Sequence, residues 1–282
     1  MADTTESVSV SRSRWESLPD LSEKTVDNLF AMYTALVIFV LLLPLLYLLP
    51  VSLNPAGLAR IPLNPSLRWY TDILNNQALI AALRQSITLG LLTAAVTTPL
   101  AFLAAAGTRN VARKSAVIGF FLLPVFMPGT SVGLGLAVYF KLLSVELSRW
   151  TMLVAHVLWT FPFAYIIILT SMASFNPHLK EAAYDLGANE IRAFLDIELP
   201  HIQPGLLGAA IFSFTLSFNE FSRTVFVRSA TDTLPTYIWG RVQNLGLDPT
   251  VYAISGVTIV VSIVLLVVVG YLVIQTQEED TP

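Results

Sequence analysis

NPHLKEAAYDLGANEIRAFLDIELP, residues 176–200, is the most polar stretch of the chain beyond its first 27 residues, and it joins two long apolar runs. Asn176 can cap a helix that has Pro177 at its first position. Leu179, Ala182, Ala183 and Leu186 then fall on the apolar side. Gly187 follows as a residue able to take the left-handed conformation that ends a helix. Asn189 can cap a second helix, on which Ile191, Phe194, Leu195 and Ile197 form a stripe, and Pro200 precedes the next apolar run. The stretch therefore predicts two short amphipathic helices joined by a turn. Such a hairpin can bury its stripe on a partner protein, on its own bundle or in a membrane interface.

Outward from this hairpin the chain is dominated by apolar runs. Of 282 residues, 55% are hydrophobic and 12% charged, with a net charge of −3. A soluble domain carries about a quarter charged residues. Residues 28–59, 85–108, 115–140, 150–179, 199–219 and 249–277 contain no charge at all. About 20 mostly apolar residues cross the ~30 Å hydrocarbon core as a helix. Six such windows predict an all-α membrane protein with six transmembrane helices, near 29–53, 82–106, 115–140, 150–174, 204–226 and 251–274. A β-barrel is excluded, because its strands alternate and are half this length. Residues 1–28 read as a flexible polar leader, residues 29–274 as the transmembrane domain and residues 275–282 as an acidic tail. The first apolar run starts too late and runs too long for a signal peptide.

Cysteine is absent, which removes disulfides, thiolate metal sites and cysteine nucleophiles. A pI near 5.6 argues against a nucleic-acid partner. Orientation is not decided by charge. With the N-terminus inside, eight Lys and Arg face the inside and eight the outside, so the positive-inside rule is tied. The cluster Arg109, Arg113, Lys114 weakly favours an inside N-terminus.

No catalytic pattern emerges. The G-x-x-x-x-G-K-[ST] phosphate loop is missing, no HExxH occurs, and His156, His178 and His201 are too scattered for metal-ligand spacing. Gly129, Gly133 and Gly135 fall inside an apolar run and read as packing or hinge glycines. His156 reads first as a hydrogen-bonded interior histidine and second as a lining of a solute path. Glu220 and Arg223 are placed by the sequence in the outer half of the fifth span, three residues apart and so on one helix face. Charges at membrane depth cost ~2.5–3.5 kcal/mol each. Two readings stand open for them, a lining of the path or an intrahelical ion pair.

The 176–200 stretch resembles the "EAA" loop of binding-protein-dependent ABC importer permeases. The matching positions are Glu181, Ala182, Ala183, Gly187, Ile197, Leu199 and Pro200, with every spacing kept. Residues 218–242 and 67–76 are similar to the corresponding regions of the spermidine/putrescine-type branch, closest to its second permease. The resemblance implies the MetI-like bundle and a cytoplasmic coupling hairpin whose first helix sits in a cleft on an ATPase subunit. It implies both termini in the cytoplasm, at the inner membrane, and a transport subunit that is not itself an enzyme. The implied partners are two ATPase subunits, a second permease, similar or identical, and an extracellular solute-binding protein. No cofactor is expected in this chain, with ATP and Mg bound by the ATPase. The solute would be a polyamine or another small polar molecule; on the first of the two readings above, Glu220 and Arg223, with Asn219 beside them, are residues of its path. Asn219 stands where the polyamine branch often has a second acid, and Arg223 adds a positive charge, so both depart from a polycation path. Two rivals are a stand-alone secondary transporter or channel, and an intramembrane enzyme pairing His156 with Ser86, Ser131 or Ser262.

Overall fold

The computed structural model describes residues 23–55, 61, 62, 64–246, 249–261, 263 and 264. Among these, every regular element is helical. The chain divides into two units, residues 1–48 and 49–282. Helix α1, Glu23–Ser52, makes up the described part of the first unit and runs on into the second. The second unit holds α2 (Arg68–Leu74), α3 (Gln77–Arg109), α4 (Lys114–Leu122), α5 (Gly129–Leu142), α6 (Arg149–Ala173) and α7 (Pro177–Asp185). An unbroken helix follows from residue 190 to residue 218. It opens with α8 (Glu190–Arg192), passes through a π-helical stretch (Ala193–Glu198) and continues as α9 (Leu199–Phe218). Short α10 (Thr224–Val227), α11 (Leu234–Leu245) and α12 (Pro249–Val261) complete the unit.

Helices α3, α6 and α9 pack on one another and form the core. The sequence of α3 explains why they can approach closely. Thr93, Thr97, Ala101 and Ala105 recur every four residues, share one face, and are wholly buried. Small side chains let helix backbones come together where lipid supplies no hydrophobic drive. Gly90 extends the same idea, because a Cβ there would stand 2.8 Å from the Phe214 ring of α9. Polar pairs add direction to the packing. Thr97 bonds Thr160 at 2.9 Å, and Thr108 bonds the Tyr165 hydroxyl at 2.9 Å. Around Tyr165 the core is aromatic, with Phe121 and Phe161 rings 5.1 and 6.0 Å away.

Three of the expected spans lie within long helices, 29–53 almost entirely in α1, 82–106 in α3 and 150–174 in α6. The other three need correction or lie partly outside the described residues. The expected third span, 115–140, is not one helix. It is α4 with a 3-10 turn to Phe126, then α5, bent by 92°. Pro128 is the cause. A residue before proline is pushed out of the helical region, and Met127 is extended, at φ −92° and ψ 129°. The expected fifth span, 204–226, begins earlier and stops at Phe218, where Asn219 closes α9. Of the sixth, 251–274, α12 supplies the first part; residues 265–274 lie outside the described residues, as do residues 1–22 of the leader and the 275–282 tail. Three described helices are long and apolar enough to cross a membrane, four if the bent α4–α5 pair is one span.

Candidate functional site

The hairpin forms as its local chemistry dictates. Asn176 accepts the His178 amide, with Pro177 at the first helical position. Gly187 takes φ +87°, and the amides of Gly187 and Ala188 close back on the carbonyls of Tyr184 and Ala183, a left-handed helix stop. Asn189 then caps the second helix by accepting the Arg192 amide at 2.9 Å. The apolar stripe divides between two destinations. Ala183 and Ala193 are buried, and Phe194 meets Phe102 of α3 with centroids 5.9 Å apart. Leu186 is 90% exposed and Ile191 69% exposed, and Leu179 and Leu195 are also open.

Of the seven motif residues, Glu181, Ala182, Gly187 and Pro200 are exposed, Ala183 is buried, and Ile197 and Leu199 are half-buried. Glu181 pairs with His178 at 2.9 Å on the open side. Its neighbour Lys180 turns the other way, to Glu198 Oε2 at 3.1 Å. Arg109, the last residue of α3, pairs with Glu198 Oε1 and donates through Nη2 to the Met172 carbonyl at 2.6 Å. Glu198 itself is 3% exposed. Burial pushes its carboxyl up, but the hydrogen bonds from Lys180 and Arg109 outweigh burial and hold it below its ordinary value. Burial likewise pulls Lys180 down, and the bond to Glu198 outweighs it, leaving the amine above its ordinary value.

Glu220 and Arg223 do not lie on α9. They occupy the connection between α9 and α10, so the helix-face placement is corrected. Their pairing survives the correction, because the turn keeps them together. Arg223 Nη1 donates to Glu220 Oε2 at 3.0 Å, and the Arg223 amide donates to Glu220 Oε1 at 2.8 Å. Both are buried, at 7% and 4%. The Arg223 guanidinium stands 4.0 Å from the Trp159 ring centroid, a cation–π contact. Helix α5 covers the pair: a Cβ at Gly133 would stand 2.8 Å from Arg223 Cα, and one at Gly129 would stand 3.0 Å from Arg223 Nη1.

His156 is wholly buried beside this pair. Its Nδ1 meets Ser217 Oγ at 2.7 Å and its Nε2 meets Thr224 Oγ1 at 2.8 Å. Ser217 in turn reaches Thr93 at 3.1 Å, and Thr224 donates to the Glu220 carbonyl at 2.8 Å. The ring thus ties α3, α6, α9 and α10 together, as an interior histidine does. Its partners are neither Ser86, which accepts the Leu234 amide, nor Ser131; Ser262 lies outside the described residues.

Asn219 is separate from Glu220 and Arg223 in its setting. It is exposed, donates to the Thr215 carbonyl at 3.0 Å, and opens on a cleft of about 310 Å³ between the end of α9 and α11. Phe218, Phe221, Ile238 and Trp239 line it. Among the described residues no group of His, Asp and Glu is arranged to hold a metal ion.

The sequence reading did not name Glu198, Lys180 or Trp159 as site residues, and used Arg109 only for orientation. A signal for Glu198, Lys180 and Arg109 was present. Arg109, Lys180 and Glu198 are the charges that end the apolar windows 85–108, 150–179 and 199–219. In a six-span path all three ends lie on one side of the membrane, where unlike charges meet.

The chain matches the binding-protein-dependent transport system inner membrane component family over residues 22–277, and it belongs to that family. It is 29% identical over 203 residues to the spermidine/putrescine transport system permease protein PotC of Escherichia coli K12, covering 71% of this chain and 76% of that one. Against PotC of Haemophilus influenzae it is 30% identical over 205 residues, covering 72% and 79%. Among solved structures, the bacterial alginate ABC transporter in complex with an alginate pentasaccharide-bound periplasmic protein aligns at TM-score 0.62. The identity is 20%, with 88% of this chain and 94% of that one covered. That likeness is one of fold, the MetI-like permease fold. The chain is a multi-pass permease of the ABC importer class, a family whose members are not themselves enzymes.

Proposed function

We propose that this family member forms the solute path of an ATP-driven importer and takes its power stroke through the 176–200 hairpin. In this reading the hairpin and both termini are cytoplasmic. Helix α7 docks on an ATPase subunit that holds the ATP and Mg, and this chain holds no cofactor. A second permease, similar or identical, completes the path, and an extracellular binding protein delivers the solute.

One observation carries the reading. The hairpin keeps all seven motif positions, anchors its inner side through Glu198, and still presents Leu186 and Ile191 to solvent. Exposed apolar side chains on an anchored helical hairpin are what a docking surface requires. Glu181 and Ala182 serve that contact, Gly187 makes the turn that presents it, and buried Ala183 seats the helix on its own chain. Ala182 leaves room for close approach, and Glu181 offers one charge. Ile197, Leu199 and Pro200 lead the hairpin into α9.

For the solute, relatives that are spermidine/putrescine permeases support a polyamine or another small polar molecule. Asn219, at the cleft beside Trp239, is the residue we place on the path. Glu220 and Arg223 are buried against each other, are absent from the cleft's lining and act as a structural ion pair. The test is uptake in proteoliposomes containing the permease, its partner permease and the ATPase, with binding protein added outside. Spermidine and putrescine are the first solutes to try. The reading requires uptake that depends on ATP and on the ATPase. Uptake by the permease alone, driven by an ion gradient, would instead establish a secondary transporter.

A further inference from the structure

Four chain segments converge on one carboxylate. Glu198 ends the π-helical stretch that feeds α9. Its Oε1 is taken by Arg109 at the end of α3, and its Oε2 by Lys180 of α7. Through Arg109 Nη2 the same cluster reaches the Met172 carbonyl near the end of α6. Both carboxylate oxygens are used, and the group is 3% exposed. The carboxylate loses its solvation here, and two partly open cations, Arg109 and Lys180, replace that solvation and hold it in one geometry.

Beyond this cluster the hairpin is held, among the described residues, by apolar packing alone, through buried Ala183 and Ala193 and through Phe194 against Phe102 of α3. Its turn at Gly187 is exposed and has no atom within 4 Å of a would-be Cβ. The π-helical stretch Ala193–Glu198 that follows is a form found at functional sites. A push on α7 could be absorbed at either place. Lys180 and Glu181 are adjacent yet face apart, one into the cluster and one toward the open side. The motif glutamate, paired with exposed His178, thus faces outward while its neighbour is tied to the bundle.

We infer that Glu198, held by Arg109 and Lys180, is the positioning clasp that makes α7 move as one body with the ends of α3, α6 and α9. This rests on the proposed function, since a clasp matters only if α7 is pushed. Without it, ATPase movement displaces the hairpin and is lost there before it reaches the path.

The test compares wild type with Glu198→Gln, Lys180→Met and Lys180→Arg in the full transporter. Two quantities are read: the amount of ATPase that purifies with the permease, and the ratio of binding-protein-stimulated to unstimulated ATP hydrolysis. Glu198→Gln and Lys180→Met are expected to recruit ATPase as wild type does and to lose most of the stimulation. Lys180→Arg, which keeps the charge and a donor, is expected to restore it. Should Glu198→Gln fail to fold because Arg109 is left stranded, the two Lys180 variants decide alone, since Lys180 is partly open to solvent. Wild-type stimulation in assembled Lys180→Met overturns the clasp while leaving the proposed function standing. A wild-type chain that recruits no ATPase overturns both.

Discussion

The Arg223 guanidinium lies 4.0 Å from the centre of the Trp159 ring while its Nη1 bonds Glu220 at 3.0 Å. The charge therefore has a carboxylate on one side and an aromatic face on another, and it is 4% exposed. Removing one partner of a buried pair strands the other at about 3–5 kcal/mol, whereas removing both is often tolerated. We expect Glu220→Gln and Arg223→Met each to lower the yield of folded permease more than the double substitution does. Uptake per inserted molecule decides the role. Near-normal uptake by the double variant supports the structural pair. Normal insertion of Glu220→Gln with poor uptake returns the residue to the path.

Helix α5 offers a matched comparison of glycines. A Cβ at Gly133 would press on the Arg223 backbone at 2.8 and 2.9 Å, while one at Gly135 meets nothing within 4 Å. Overpacking costs about 1–3 kcal/mol. A helix-compatible Gly→Ala change stabilises by about 0.4–1 kcal/mol. Gly133→Ala should thus lower the melting temperature of the detergent-solubilised protein, and Gly135→Ala should leave it equal or higher. Equal shifts would contradict the packing of α5 on Arg223.

Gly187 tests the turn without steric confusion. Its φ is +87°, with open space around a would-be Cβ, so a substitution there acts through the backbone alone. A left-handed conformation costs an L residue about 1–2 kcal/mol, and asparagine bears it best. Gly187→Val is expected to reduce binding-protein-stimulated ATP hydrolysis with the bundle still inserted, and Gly187→Asn to retain more of it. Identical stimulation in all three proteins would remove the turn from the mechanism.

The Glu198 cluster predicts a pH window for the hairpin. A carboxyl whose folded value lies below 4.5 contributes stability that is present above that value and is lost as pH falls through the folded one. Lys180, raised above 10.5, contributes below that value and loses it as pH rises through its folded one. Hydrogen exchange in residues 177–198, corrected for intrinsic rates, should therefore stay slow across the neutral range and quicken in acid below pH 4.5. In Glu198→Gln the acid step should be missing. An unchanged acid step would assign it to other carboxyls.

Much of the hairpin was legible because its determinants are local. Asn176, Pro177, Gly187 and Asn189 are capping and turn residues that act within a few positions of themselves. Glu198 was not, since it stands between Ile197 and Leu199 as a spacer and its partner Arg109 is far off in the chain. The bend after Phe126 was written in Pro128, but an apolar run of the right length concealed it. The end of α9 was misplaced for a related reason. Lack of charge marks where a span can run, not where its helix stops, and the Glu220–Arg223 pair forms in a turn as readily as on a helix. Leu186 and Ile191 stay exposed among the described residues, so packing within this chain gave no signal of a partner there.

On the proposed function, the face bearing Leu186 receives an ATPase subunit. The chain has no cysteine, so Leu186→Cys, at a site 90% exposed, is a single reporter. Its labelling rate with a membrane-impermeant maleimide is measured in inverted membrane vesicles, with and without the ATPase co-expressed. We predict fast labelling in the permease alone and strong protection once the ATPase is assembled, with Asn110→Cys at the α3–α4 turn labelled in both. Equal labelling of Leu186→Cys with and without an ATPase that demonstrably co-purifies would contradict the account.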